Sequence, residues 1–177
     1  MLSNPFYRFL ILGTALFCVW YGVYEGYLKD HSLLDEWIIH QLSSGADLIL
    51  NFLGFRTTDF GFVGYHNRVG IEGAPGVMIG APCDGLVLFA LFAVFVIAYP
   101  GPWKHRLWFI PAGILLIHGL NILRIVGLTI IISWRREWLS FNHDYTFTIL
   151  VYAVVLMLWW IWVKRFAPIS VRPSQPE

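Results

Sequence analysis

The chain has 177 residues, of which 58% are hydrophobic, 18% aromatic and only 13% charged. That charged share is about half of what a soluble domain carries, too little polar surface to cover a globule, so the composition describes an integral membrane protein. A net charge of +1 with scattered basic residues argues against nucleic-acid binding, and nine Trp and eight Tyr suit a protein with two membrane–water interfaces to anchor.

The first apolar run, 6–27, is long enough to span a bilayer. It is too long for a signal-peptide core, and Tyr21, Tyr24 and Glu25 stand where a small-residue cleavage site would be. Cys18 lies mid-run and reads as a small buried hydrophobe. A disulfide to Cys83 is discounted, because it would pull the middle of one span toward the end of another. The connection 28–82 follows. Ser32 to Leu42 has amphipathic helical spacing, Ser43-Ser44-Gly45 reads as a break, and Ala46 to Phe55 is too short to cross; both pieces are expected in the membrane interface. From Arg56 to Pro82 glycines recur among β-branched and aromatic residues, and Val69–Glu72 and Gly76–Ile79, separated by Ala74-Pro75, have the pattern of a short hairpin.

A second membrane helix is expected over 84–99, ended by Pro100-Gly101-Pro102, then a basic turn from Trp103 to Arg106. A third is expected over 107–131 and a fourth over 145–163, with an interfacial turn over 134–142 between them and a disordered tail, 166–177. The fold class is therefore a single all-α integral membrane domain. It has about four transmembrane helices, interfacial helices and a short extracytoplasmic β-hairpin-like segment. The basic residues of the short loops set its orientation. Four spans put both termini and the 100–106 turn on one side, with Arg8, Lys104, Arg106, Lys164, Arg165 and Arg172 against the single acid Glu177. That side is read as cytoplasmic.

Within the third span His118, Asn121 and Arg124 are three apart and form one polar stripe. An arginine inside a membrane helix is costly and marks a functional site by default. With the helix ending near 129, Arg124 lies about 8 Å below its outer end. Cys83, at the outer start of helix two, and His143, at the outer start of helix four, fall on the same side. A helix N-terminus and a guanidinium favour a thiolate at Cys83, whereas Asp84 opposes it. A histidine within reach can take a thiol proton and later protonate a leaving amine, and a guanidinium such as that of Arg124 can stabilise a tetrahedral oxyanion or hold a substrate carbonyl. Asn121, one turn away, and Asp144, beside His143, would support these groups or bind substrate. Each also has a structural reading. Cys83 is then a small residue at a helix start, His143-Asp144 a cap, and His118 and Asn121 inter-helix hydrogen bonders.

Gly80-Ala-Pro-Cys83-Asp-Gly85 leading into a helix, then Asn121-Ile-Leu-Arg124-Ile125, then His143 before a last helix, resembles the exosortase/archaeosortase family. The lead-in Leu50-Asn-Phe-Leu-Gly54-Phe55 and the glycine-rich hairpin add to the resemblance, which covers about residues 45 to 160. It implies a membrane-embedded cysteine transpeptidase acting on exported proteins with C-terminal sorting signals (a short motif, a transmembrane helix, a basic cluster). Cys83 would be the nucleophile, Arg124 the transition-state or carbonyl-binding group and His143 the acid/base partner. Archaeal members tend to have Arg where His143 stands, so the chain resembles the bacterial branch. This implies a bacterial cytoplasmic membrane, an extracytoplasmic active site and no cofactor. The chain departs from the pattern in its shortness and in Asp84, where a small residue would be expected. Two other classes stand beside this one. A non-enzymatic transporter subunit or assembly factor would use Arg124 to bind an anionic lipid or carboxylate. A metal site from Cys83, His143 and His66 or Asp144 lacks any paired ligand spacing, and a nearby arginine would repel the cation.

Overall fold

The computed structural model describes residues 5–29, 33–63, 66–80, 84–135, 137 and 146–166. Helix α1, Pro5–Val23, continues through a wider π-type turn, Tyr24–Leu28. Helix α2 is Leu34–Phe52, followed by strands β1 Thr57–Val63, β2 His66–Ile71 and β3 Val77–Ile79. Helix α3 is Leu86–Ala98, α4 is Trp103–Trp134, and α5 is Phe147–Ile161, continued by a π-type turn Trp162–Phe166. Three stretches, Phe6–Leu28, Trp103–Trp134 and Phe147–Phe166, are helical, long and apolar enough to cross a membrane. The 13 residues of α3 are about 20 Å long, against about 30 Å of hydrocarbon in a bilayer.

The long helices and α3 form an antiparallel bundle. Phe9 stacks edge-on against Phe95 and Tyr99, near the end of α3. Along α4, Phe92 of α3 sits on Gly113 and Phe109, and Phe89 on His118, so the polar stripe faces α3. α5 returns beside them, with Phe147 against Gly127 and Trp162 against Gly101 and Phe109. One end of the bundle, called the base, therefore holds the start of α1, the α3–α4 turn and the end of α5. The other end is the head.

Several sequence expectations change. Ser43-Ser44-Gly45 does not break α2, which is one continuous helix with Ile38, Ile39, Leu42, Ala46 and Leu50 buried on its inner face. The small residues there serve packing. A Cβ on Gly45 would lie 2.9 Å from Ile122 Cδ1 of α4, and Ser43 Oγ accepts a 2.7 Å hydrogen bond from Asn67 Nδ2 of β2. The helix stops where Gly54 takes φ 88°, with Gly54 N–H on Asn51 O and Phe55 N–H on Leu50 O, a Schellman closure. Trp103 to Arg106 is not a turn but the first turn of α4, which runs to Trp134 rather than 131. α5 begins at Phe147 and reaches Phe166 with its final turn. Cys18 is exposed on α1 and not buried.

The hairpin forms as expected, β2 against β3 with Val69 opposite Val77. β1 extends it to a three-stranded sheet of order β1-β2-β3. Val69, Val77 and Ile79 are buried, and Val77 packs with Leu128 and Ile132, so the sheet caps the head end of α4. The expected interfacial turn after Trp134 and the tail fall largely outside the described residues.

Candidate functional site

Cys83, His143 and Asp144 lie outside the described residues; Asn121 and Arg124 lie within them. A cavity of about 410 Å³ opens at the head of the bundle, where three helices meet. Asp84 and Gly85 bound it at the start of α3, Asn121 and Arg124 on α4, and Thr148 and Tyr152 in the first turns of α5. Val87, Leu88 and Val151 give it apolar walls. The two members of the stripe expected to be functional, Asn121 and Arg124, thus share one cavity, while half-buried His118 packs its ring 6.2 Å from Phe89 and lies outside the cavity lining.

The depth of Arg124 differs from the expected one. Ten residues of α4, about 15 Å, continue beyond it to Trp134. Those residues carry Leu128 and Ile132 into the packing with β3. From Trp103 to Arg124 is 21 residues, about 32 Å, close to the thickness of a hydrocarbon layer. Arg124 thus marks the head-side edge of a membrane-length stretch, with the sheet-packed extension above it.

The segment around Asp84 is held by backbone geometry that only its own residues permit. Gly85 has φ 86°, and a Cβ there would fall on Asn121 Nδ2. Asn121 Nδ2 donates to Asp84 O at 3.4 Å, and Asp84 Oδ1 accepts from Leu86 N–H at 2.7 Å, satisfying a free donor of the first turn of α3. The residue that follows Cys83 in sequence is therefore tied to both α3 and α4.

Sequence reasoning missed a second group of side chains beside the cavity. Asp84 and Asp35 are 1% and 7% exposed, their carboxyls meet, and Tyr24 Oη donates to Asp35 Oδ1 at 2.9 Å. Asp84 Oδ2 and Asn121 Oδ1 have no donor among the described residues. Two carboxyls in contact hydrogen-bond only when one holds a proton, so Asp84 Oδ2 is orphaned when both are ionised and satisfied when they share one. Helical periodicity puts Asp35 on a polar face with Glu36, His40 and Gln41, and no local pattern signals its contact with Asp84, 49 positions away. The one legible signal was Asp84 itself, an acid two residues before a helix. Glu25, the acid nearest Tyr24 in sequence, pairs instead with Lys29 at 2.9 Å.

Fold and site together define a mostly helical bundle with three helices long and apolar enough to cross a membrane, and with a cavity at the head end lined by apolar, polar and charged side chains. Compared with protein-family models, curated proteins and solved structures, the chain matches none.

Proposed function

We propose that the chain is a membrane-embedded cysteine transpeptidase that cleaves C-terminal sorting signals of exported proteins, as its resemblance to the exosortase/archaeosortase family implies. The observation that carries the reading is the head cavity. Its lining comes from Asp84, directly after Cys83, from Arg124, and from Thr148, five residues after His143. In this reading the Cys83 thiolate attacks the substrate carbonyl, and Arg124 stabilises the oxyanion of the tetrahedral intermediate. The imidazolium of His143 protonates the leaving amine as the C–N bond breaks, leaving a thioester on Cys83. An acceptor nucleophile then gives its proton to His143 and bonds to the acyl carbon, and the C–S bond breaks to release the product and restore the Cys83 thiolate.

α3 crosses the bilayer as a fourth, short span, and the chain lies in a bacterial cytoplasmic membrane with the cavity on the extracytoplasmic side. Three features support this. Arg8, Lys104, Arg106, Lys164 and Arg165 gather at the base with no acid in 5–12, 97–110 or 158–166. The length of α4 from Trp103 to Arg124 matches one hydrocarbon thickness, which supports Arg124 at the opposite interface. α2 crosses α4 steeply, since Gly45 meets Ile122 while Asp35, ten residues and about 15 Å earlier, meets Asp84 beside Asn121. A helix lying across α4 at that level suits an interfacial position.

The test is processing of a tailed substrate by Cys83→Ala. Cleavage is expected to vanish while membrane insertion is unchanged, and cleavage at the wild-type rate overturns the reading. Arg124→Lys separates the two main classes. It is expected to lose cleavage nearly as fully, because an ammonium cannot reproduce the guanidinium fork. Preserved function in both variants would mark Arg124 as an anion-binding group of a non-enzymatic membrane protein.

A further inference from the structure

At the base, away from the cavity, α1 and the end of α3 enclose a groove of about 610 Å³. Arg8 and Arg106 flank it, and Leu12, Ala15, Ile97 and Pro100 form apolar walls. We propose that this groove binds an anionic phospholipid, its phosphate between the two guanidiniums and one acyl chain along the wall.

The Arg106 guanidinium is already positioned. Its Nη2 donates to Tyr99 O at 2.9 Å across the Pro100-Gly101-Pro102 turn, while its Nε is buried with no partner among the described residues. No Asp or Glu occurs in 5–12, 97–110 or 158–166, the described stretches that make up the base, whereas Lys104, Lys164 and Arg165 add positive charge there. Among the described residues of the base, therefore, no carboxylate balances this charge, and a bound anion would. A guanidinium fork matches phosphate oxygens, and desolvation at a membrane edge strengthens the pairing. The walls select lipid over free phosphate. Arg8 to Ala15 is seven residues, about 10 Å of helix, which an inorganic ion would leave unfilled. The two groove arginines also disfavour a zwitterionic headgroup, whose ammonium would face them.

The inference needs only that the chain sits in a bilayer and is independent of the chemistry at Cys83. Purified protein equilibrated with mixed vesicles of phosphatidylglycerol and phosphatidylcholine is analysed for retained lipid by native mass spectrometry. Phosphatidylglycerol is expected to be retained preferentially, with retention reduced roughly fivefold by Arg8→Gln or Arg106→Gln and about thirtyfold by both. Lys164→Gln with Arg165→Gln, whose charges lie outside the groove, is expected to retain it. Equal retention of phosphatidylcholine, an unaffected double arginine variant, or an equal loss from the Lys164/Arg165 pair would each overturn the proposal. Arg8→Gln leaves the Arg106–Tyr99 bond intact, so the test stands even where Arg106→Gln fails to fold.

Discussion

The two oxygens of Asp84 are in different situations: Oδ1 accepts from Leu86 N–H, and Oδ2 meets the Asp35 carboxyl with no donor among the described residues. The folded protein therefore binds a proton there more tightly than the unfolded chain does. It holds that proton at pH values where the unfolded carboxyl has lost it, so stability falls as pH rises above the usual carboxylate range and levels once the folded carboxyl has ionised. Thermal unfolding against pH is expected to show this decline in the wild type. Asp84→Asn keeps the Oδ1 acceptor and supplies an N–H donor toward Asp35, so it should flatten the decline and melt higher than wild type at pH 8. A variant with the wild-type pH profile would mean that Asp84 does not hold the proton. The charge also bears on the proposed thiolate. An acid beside Cys83 disfavours deprotonation, and a proton shared with Asp35 lessens that penalty.

Two glycines with φ near +87° differ only in their surroundings, which makes them a controlled pair at the scale of the element. Gly54 ends α2 with nothing within 4 Å of a Cβ, whereas a Cβ on Gly85 would fall on Asn121. Gly54→Ala is expected to cost about 1–2 kcal/mol of stability through backbone strain alone, with substrate processing preserved. Gly85→Ala adds displacement of Asn121 and of the Asp84–Leu86 turn, so a larger loss of stability and a loss of processing are expected. Equal effects in unfolding and processing assays would show that Asn121 plays no part in placing the start of α3. These elements also show what a sequence reveals. The apolar runs and a hairpin about Ala74-Pro75 were legible, because periodicity and turn residues are local signals, whereas its Val69–Val77 register was not read. The continuity of α2 was not. Ser43-Ser44-Gly45 has breaker composition, and what these small residues meet is distant: Ile122, nearly eighty positions on, faces Gly45, and Asn67 bonds Ser43. β1, interrupted by Gly61 with a register shift between Asp59 and Phe62, had no clean alternation to read. Arg124 and Asn121 were found because charge in an apolar run is conspicuous, whereas Asp35 sat unnoticed among other polar residues.

For the whole molecule the question is whether 13 helical residues carry α3 across. α3 runs antiparallel to α1 from the Tyr24–Asp35–Asp84 cluster at the head to the Arg8–Arg106 groove at the base. Arg8 to Tyr24 spans sixteen residues of α1, about 24 Å, so α3 and its flanking residues travel the same distance as most of a membrane-length helix. A bilayer thins locally around a short span at a cost of fractions of a kcal/mol per Å, far less than stranding the basic base end on the outer face. Four crossings, as proposed, would put both termini on one side with Lys104. The prediction is read by impermeant maleimide labelling of intact cells, using Glu72→Cys, Lys104→Cys and Ser170→Cys in a background lacking both native cysteines. Glu72→Cys should label from outside, and the other two only after the membrane is permeabilised. If α3 turned back without crossing, Lys104→Cys would label together with Glu72→Cys and the C-terminal site would lie outside as well. The Arg8–Arg106 groove would then bridge two sides of a membrane, against the shared lining of Arg8, Pro100 and Arg106.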